Sequence, residues 1–118
     1  MKIPESVRIG GTEYAVVRVE KLNDGEKVLA GQIAYDHTEI RVSADVSHEM
    51  ACITLWHEML HGLASRAGLR LGTGEEEVID AFAYGVYQIL QDNGGRLFDI
   101  ETGIPATAET GERQATYE

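Results

Sequence analysis

The sequence is poor in several residue types at once. Its 118 residues include one cysteine, two prolines, one tryptophan and two phenylalanines. A single cysteine, Cys52, excludes an internal disulfide framework and fits a reducing, cytoplasmic setting. No apolar run approaches the ~20 residues that span a bilayer, and the opening "MKIPESVRIGG" lacks the apolar stretch of a signal peptide, so no membrane role is expected. Basic residues are scarce too: ten Lys and Arg stand against twenty Asp and Glu, a formal net charge of −10. Phosphate backbones are held largely by Lys and Arg, so nucleic-acid binding is not expected either. The remaining balance, 43% hydrophobic and 25% charged, is that of a globular chain long enough for one domain with a modest core.

The pattern of apolar residues divides the chain in two. "VRIGGTEYAVVRVE" carries β-branched residues on both sides of Gly10-Gly11, a two-residue hairpin signal. "LNDG" (22–25) interrupts, and "KVLAGQIAYD" followed by "TEIRVS" predicts a second hairpin turning near Asp36-His37. A three- or four-stranded, mainly antiparallel sheet is expected. From Ser47 the period becomes helical, with Ser47 as N-cap and Gly68 as the stop. Ile53, Trp56, Leu60, Leu63 and Ala67 are the expected buried stripe of this first helix. A second helix is expected over roughly 75–92, with Ile79, Phe82, Val86, Ile89 and Leu90 as its stripe. The fold class is therefore α+β, with residues 1–95 as the domain and 96–118 as a flexible acidic C-terminal tail.

Within the first helix lies "HEMLH", residues 57–61. His57 and His61, four apart, are stacked neighbours on one helix face, so their imidazoles can converge on one metal ion. Glu58 is offset around the helix, where a carboxylate can hold a water without ligating the metal. The bland alternative is a solvated helix flank; the apolar frame of Trp56, Leu60 and Leu63 argues against it. A catalytic zinc needs a third protein ligand and an open position. No histidine follows His61, and Ala67 stands where a metzincin would place its third histidine. His37 falls at a hairpin tip, while His48 and Cys52 lie on other faces of the helix; Cys52 reads as a small buried apolar residue.

Carboxylates at the start of the second helix fill the gap. Glu76 and Asp80 are four apart on one face, which suits Glu76 as ligand and Asp80 as the partner that orients a ligating histidine. Thr73-Gly74-Glu75-Glu76 also fits a capping box, which would occupy Glu76 and leave Glu77 as the alternative ligand.

His57-Glu58-x-x-His61 followed by Glu76-x-x-x-Asp80 resembles the gluzincin branch of zinc metallopeptidases. "EEVIDAFA" (76–83) is similar to the E-x-x-A-(N/D)-x-F-A helix of ImmA/IrrE-type metallopeptidases, with Ile79 in place of the usual alanine. The layout also looks like that of minimal zincin-like proteins of phages. The resemblance implies a zincin-like fold, two metal-bearing helices and an edge strand above the cleft, for which "TEIRVS" (38–43) is the candidate. It implies a protein or peptide substrate, a repressor-type protein in ImmA-like relatives. Larger gluzincins add a C-terminal subdomain with a histidine or tyrosine that stabilises the oxyanion; here Tyr84, Tyr87 and Tyr35 are the residues that can stand in for it.

The expected chemistry is amide hydrolysis with Zn²⁺ as cofactor and Glu58 as general base. Two other readings stay open at this stage: a zinc-containing binding module that does not cut, and a latent peptidase whose acidic tail lies in its own cleft.

Overall fold

The computed structural model describes residues 1–97, and the chain is α+β. Strands β1 (Ser6–Ile9), β2 (Thr12–Val19), β5 (Gly31–Ala34) and β6 (Glu39–Ser43) form one sheet in the order β1-β2-β6-β5, and β3 (Asn23–Asp24) and β4 (Lys27–Val28) form a separate two-stranded hairpin. Helices α1 (His48–Arg66) and α2 (Glu75–Asn93) complete the domain. No helix among the described residues is long and apolar enough to cross a membrane.

The local signals produce what they should. Gly10 and Gly11 have φ of 58° and 87°, the pair of positive values that a tight β-hairpin turn demands, and Ile9 pairs with Thr12 across it. β5 and β6 are antiparallel through a 3-10 turn at Tyr35–His37, near the expected Asp36-His37. The Ser47 side chain accepts from the Met50 N–H at 3.1 Å and caps α1. At the other end Leu69 N–H donates to Ala64 O and Gly68 N–H to Ser65 O, with Gly68 at φ 74°, a Schellman stop.

Four strands with two of three pairings antiparallel agree with the mainly antiparallel sheet expected, but β2 and β6 run parallel, with Ala15 opposite Glu39 and Val19 opposite Ser43. A parallel pair needs a crossover, and the β3–β4 hairpin and β5 are spent on it. β6, the "TEIRVS" strand, is therefore central rather than an edge. Its Ile40 and Val42 are both 0% exposed, so the middle of the sheet is where this strand loses least water-exposed polarity and buries most apolar area. The edges of the sheet are β1 and β5, of which β5 lies beside the cleft through Gly31.

The helix stripes differ as well. α1 is buried on two sides: Ala51 and Leu55 pack on Ile9, Tyr14, Ile40 and Val42 of the sheet, while Cys52 and Ile53 pack against Ala83 and Tyr87 of α2. Leu63 and Ala67, expected inside, are exposed. On α2 the buried line is Ile79, Ala83 and Tyr87, spaced by four, whereas Phe82 is 61% and Ile89 53% exposed. Ala83 is fully buried against Cys52 and Ile53 of α1, and a larger side chain there would overpack the interface.

Candidate metal centre

The antiparallel turn from α1 to α2 carries the first turn of α2 to the histidine face of α1. Three glutamates, Glu75, Glu76 and Glu77, occupy that first turn, where the positive end of the helix dipole favours them. The N-cap of α2 is Gly74, with no side-chain cap, so the Thr73 capping box does not form. Glu76 is thus free to turn toward α1.

It does so. Glu76 Oε1 accepts from His61 Nε2 at 2.5 Å and lies 3.4 Å from His57 Nε2, and the two Nε2 atoms are 3.2 Å apart. Two ligands ~2.0–2.1 Å from one tetrahedral zinc ion stand about 3.3 Å from each other. Two of the three separations match that spacing, and the third is shorter by a direct hydrogen bond. His57, His61 and Glu76 form a group able to hold a metal ion. Glu77 makes no hydrogen bond or ion pair to either histidine among the described residues, which removes the reason for preferring it.

The other ring nitrogens are held too. Asp80 Oδ1 lies 3.0 Å from His57 Nδ1, the partnership expected from the sequence. Glu75 Oε2 lies 2.8 Å from His61 Nδ1, a partnership the sequence reading missed. A signal for it existed: in an antiparallel helix pair the later histidine must meet the earlier part of α2, so His61 needs a partner before Asp80. Both Nδ1 atoms thus face a carboxylate and both Nε2 atoms face the centre, the arrangement that raises imidazole basicity and fixes ring orientation. Replacing Asp80 with Asn or Glu75 with Gln is expected to weaken zinc binding about 10–100-fold each without unfolding the protein, as measured by competition with a chromogenic chelator.

Glu58, 7% exposed, lies beside this cluster. β5 passes directly over it: a Cβ on Gly31 would stand 3.2 Å from Glu58 Oε2 and 2.4 Å from Thr54 Cγ2, so only glycine lets the edge strand come this near. Burial pushes the Glu58 carboxyl up; His57 and His61 pull it back, and Glu76 adds to the rise. For His61 burial works downward, but the hydrogen bonds to Glu75 and Glu76 outweigh it and leave the imidazole above its ordinary range. Both His61 nitrogens thus face a carboxylate, Nδ1 that of Glu75 and Nε2 that of Glu76.

These two shifts act in one direction on stability. A raised histidine contributes stability that is complete below its unfolded value and is lost as pH climbs through its folded one. A raised carboxyl likewise loses stability as pH climbs from its unfolded value to its folded one. Chelator-treated protein is accordingly expected to melt lower at pH 8 than at pH 6, and saturating zinc, which takes the place of the His61 proton, should narrow the gap. Equal melting at the two pH values without metal would contradict this.

The remaining candidates separate by position. Tyr84 is half exposed and lines the same cleft as His57, Glu58, Glu76 and Asp80, a hollow of about 310 Å³. Tyr35 sits at the turn after β5, near enough to feel the charges of Glu58 and Glu75, although burial is the main cause of its raised pKa. Tyr87 is buried in the core between the helices and does not line the cleft, so it is withdrawn from the site. His37 is exposed at its turn beside Asp36, and His48 Nε2 lies 2.6 Å from Met1 O and 3.5 Å from Cys52 Sγ, away from the cluster. A larger hollow of about 480 Å³, lined by Trp56, Met59 and Leu90 among others, contains no histidine or carboxylate and so offers no comparable chemistry.

No protein-family model, no curated protein and no solved structure matches this chain.

Proposed function

We propose that this protein is a zinc-dependent endopeptidase of zincin-like, gluzincin type, which hydrolyses an extended segment of a protein substrate. The observation that carries the reading is the convergence of His57 Nε2, His61 Nε2 and Glu76 Oε1 within 3.4 Å, with a buried Glu58 on the cleft side of the same helix. His57, His61 and Glu76 would hold the ion, and a zinc ion bound there supplies Lewis acidity, lowering the pKa of water toward ~7 and polarising a carbonyl.

The chain's own groups do the rest. Glu58 takes the proton of the attacking water on its carboxylate and passes it to the nitrogen of the departing amine. Its burial favours both jobs, because a carboxylate with a raised pKa is a better base and gives up its proton nearer neutrality. Asp80 and Glu75 keep the imidazoles turned toward the centre. β5 ends the strand order, and among the described residues no strand pairs with its outer side, to which an extended peptide can add as a further strand. Tyr84 and Tyr35 are the hydroxyls within reach of the cleft region that can steady the oxygen of the carbonyl under attack.

A binding module without catalysis is disfavoured by Glu58. A structural zinc needs no base, and burying a carboxylate beside the ligands costs stability that only a chemical role offsets. The latent form blocked by its own tail rests on residues 101–118, which lie outside the described residues. The test of the enzymatic reading is metal removal: chelated protein should stop cleaving an unstructured polypeptide such as reduced, alkylated casein and recover with one equivalent of zinc. Cleavage that survives complete chelation would reject a metal-dependent peptidase.

A further inference from the structure

Beyond the metal cluster the cleft changes character. One side is lined by Lys27 and Val28 of β4, in the β3–β4 hairpin that is separate from the main sheet and leads into β5. Val28, on β4, is 83% exposed, the most exposed large apolar residue among those described, and yet it lines the cleft rather than open surface alone. Leu29 and Met50 are half-buried beside it, Ile53 forms the floor, and Tyr84 faces them from α2. Lys27 is the only lysine or arginine in the lining among the described residues. An apolar surface next to His57, Glu58, Glu76 and Asp80 is not needed to hold a metal, and its exposure costs free energy in the unliganded protein.

We infer that the β3–β4 hairpin is a specificity element: Val28, Leu29, Met50, Ile53 and Tyr84 form a subsite that takes one bulky apolar side chain of the substrate, next to the amide held over Glu58. The inference rests on the metallopeptidase reading and adds to it which polypeptides are cut. The subsite is continuous with the cleft that contains His57 and Glu58, so a side chain one position from the scissile bond reaches it when the peptide lies along β5. The acidic rim of Glu76 and Asp80 sets itself against an acidic side chain at this position, and the apolar walls offer no partner for one.

The experiment uses the full chain loaded with zinc and three probes: acetohydroxamate, a hydroxamate bearing an isobutyl side chain, and one bearing a carboxymethyl side chain. Binding is measured by calorimetry, which does not depend on turnover. The isobutyl probe is expected to bind wild type at least about tenfold more tightly than acetohydroxamate, and the carboxymethyl probe no better than it. Val28→Asp and Met50→Asp should lose that preference while binding acetohydroxamate as wild type does. Phe82→Asp, an equally drastic change at an exposed apolar residue outside the cleft, should keep it. Val28 is exposed enough that its substitution cannot break the core, so a folding failure at Met50 leaves the test standing. An isobutyl probe bound no more tightly than acetohydroxamate, or a preference that survives Val28→Asp, overturns the subsite and leaves the metal centre intact. Failure of every hydroxamate to bind, or of zinc to load, overturns the metallopeptidase reading and the subsite with it.

Discussion

Glu58→Gln should keep one zinc per chain, keep the fold, and lose peptide hydrolysis by about 10²–10⁴-fold. The glutamine is isosteric and its side chain still fits under β5 against Gly31 and Thr54, where Glu58 now lies. What it removes is the capacity to accept a proton. The three groups that converge on the centre, His57, His61 and Glu76, are untouched, so metal analysis of wild type and variant should agree. Stability moves the other way from activity. Ionised Glu58 is a buried charge whose carboxyl is pushed up chiefly by desolvation, so the neutral amide should raise the melting temperature of the metal-free protein at pH 7. Gain of stability with loss of turnover is the signature of a group kept for chemistry. A variant that cleaves as fast as wild type would remove Glu58 from the mechanism.

The second large effect concerns the third ligand. On the proposed reading wild type should retain one zinc through purification, and Glu76→Ala should lose it, or hold it more weakly than variants at Asp80 or Glu75 do, since a direct ligand contributes more than the groups behind it. Glu77→Ala should retain zinc as wild type does. The side-by-side comparison is decisive because the two glutamates are neighbours with the same charge, both in the first turn of α2, so a difference between them cannot come from net charge or the helix dipole. The distances already set them apart: Glu76 Oε1 is 2.5 Å from His61 Nε2, while Glu77 touches neither histidine. Equal zinc in all three proteins would mean that the ion is held by the histidines with some other group.

How much of this was legible beforehand follows from how local each signal is. The Gly10-Gly11 turn, the Ser47 cap, the Gly68 stop and the pairing of His57 with His61 are all written within a few residues, and each is found where it was expected. The i, i+4 logic also put Asp80 behind a ligating histidine, without telling which; it is His57. The parallel contact of β2 with β6 joins residues far apart in the chain, and no local pattern announces it; with it went the identity of the edge strand. Helical spacing placed Ile79 correctly in the core of α2 but put Phe82 and Ile89 inside as well; α1 packs instead against the small Ala83, and both of those are left exposed. Tyr87, one turn on from Ala83, lies in the same core. Glu75 was overlooked because, in a run of three glutamates, composition says nothing about which one turns toward which histidine. The capping box was a correct local pattern defeated by a stronger tertiary one: a glutamate gains more from two imidazoles than from an N-cap amide.

The residues around the centre are also distributed unevenly along the chain. His57, His61, Glu75, Glu76 and Asp80 all belong to one helix–turn–helix unit, and the sheet contributes none of them. The sheet instead supplies Gly31 and the edge that roofs Glu58. On the proposed reading, affinity for an ion would be a property of a short contiguous stretch, whereas the capacity to cut a peptide would depend on the whole domain being assembled. Sequence drift in the strands would then silence the activity while sparing the metal centre, and drift in the helical unit could not do the reverse.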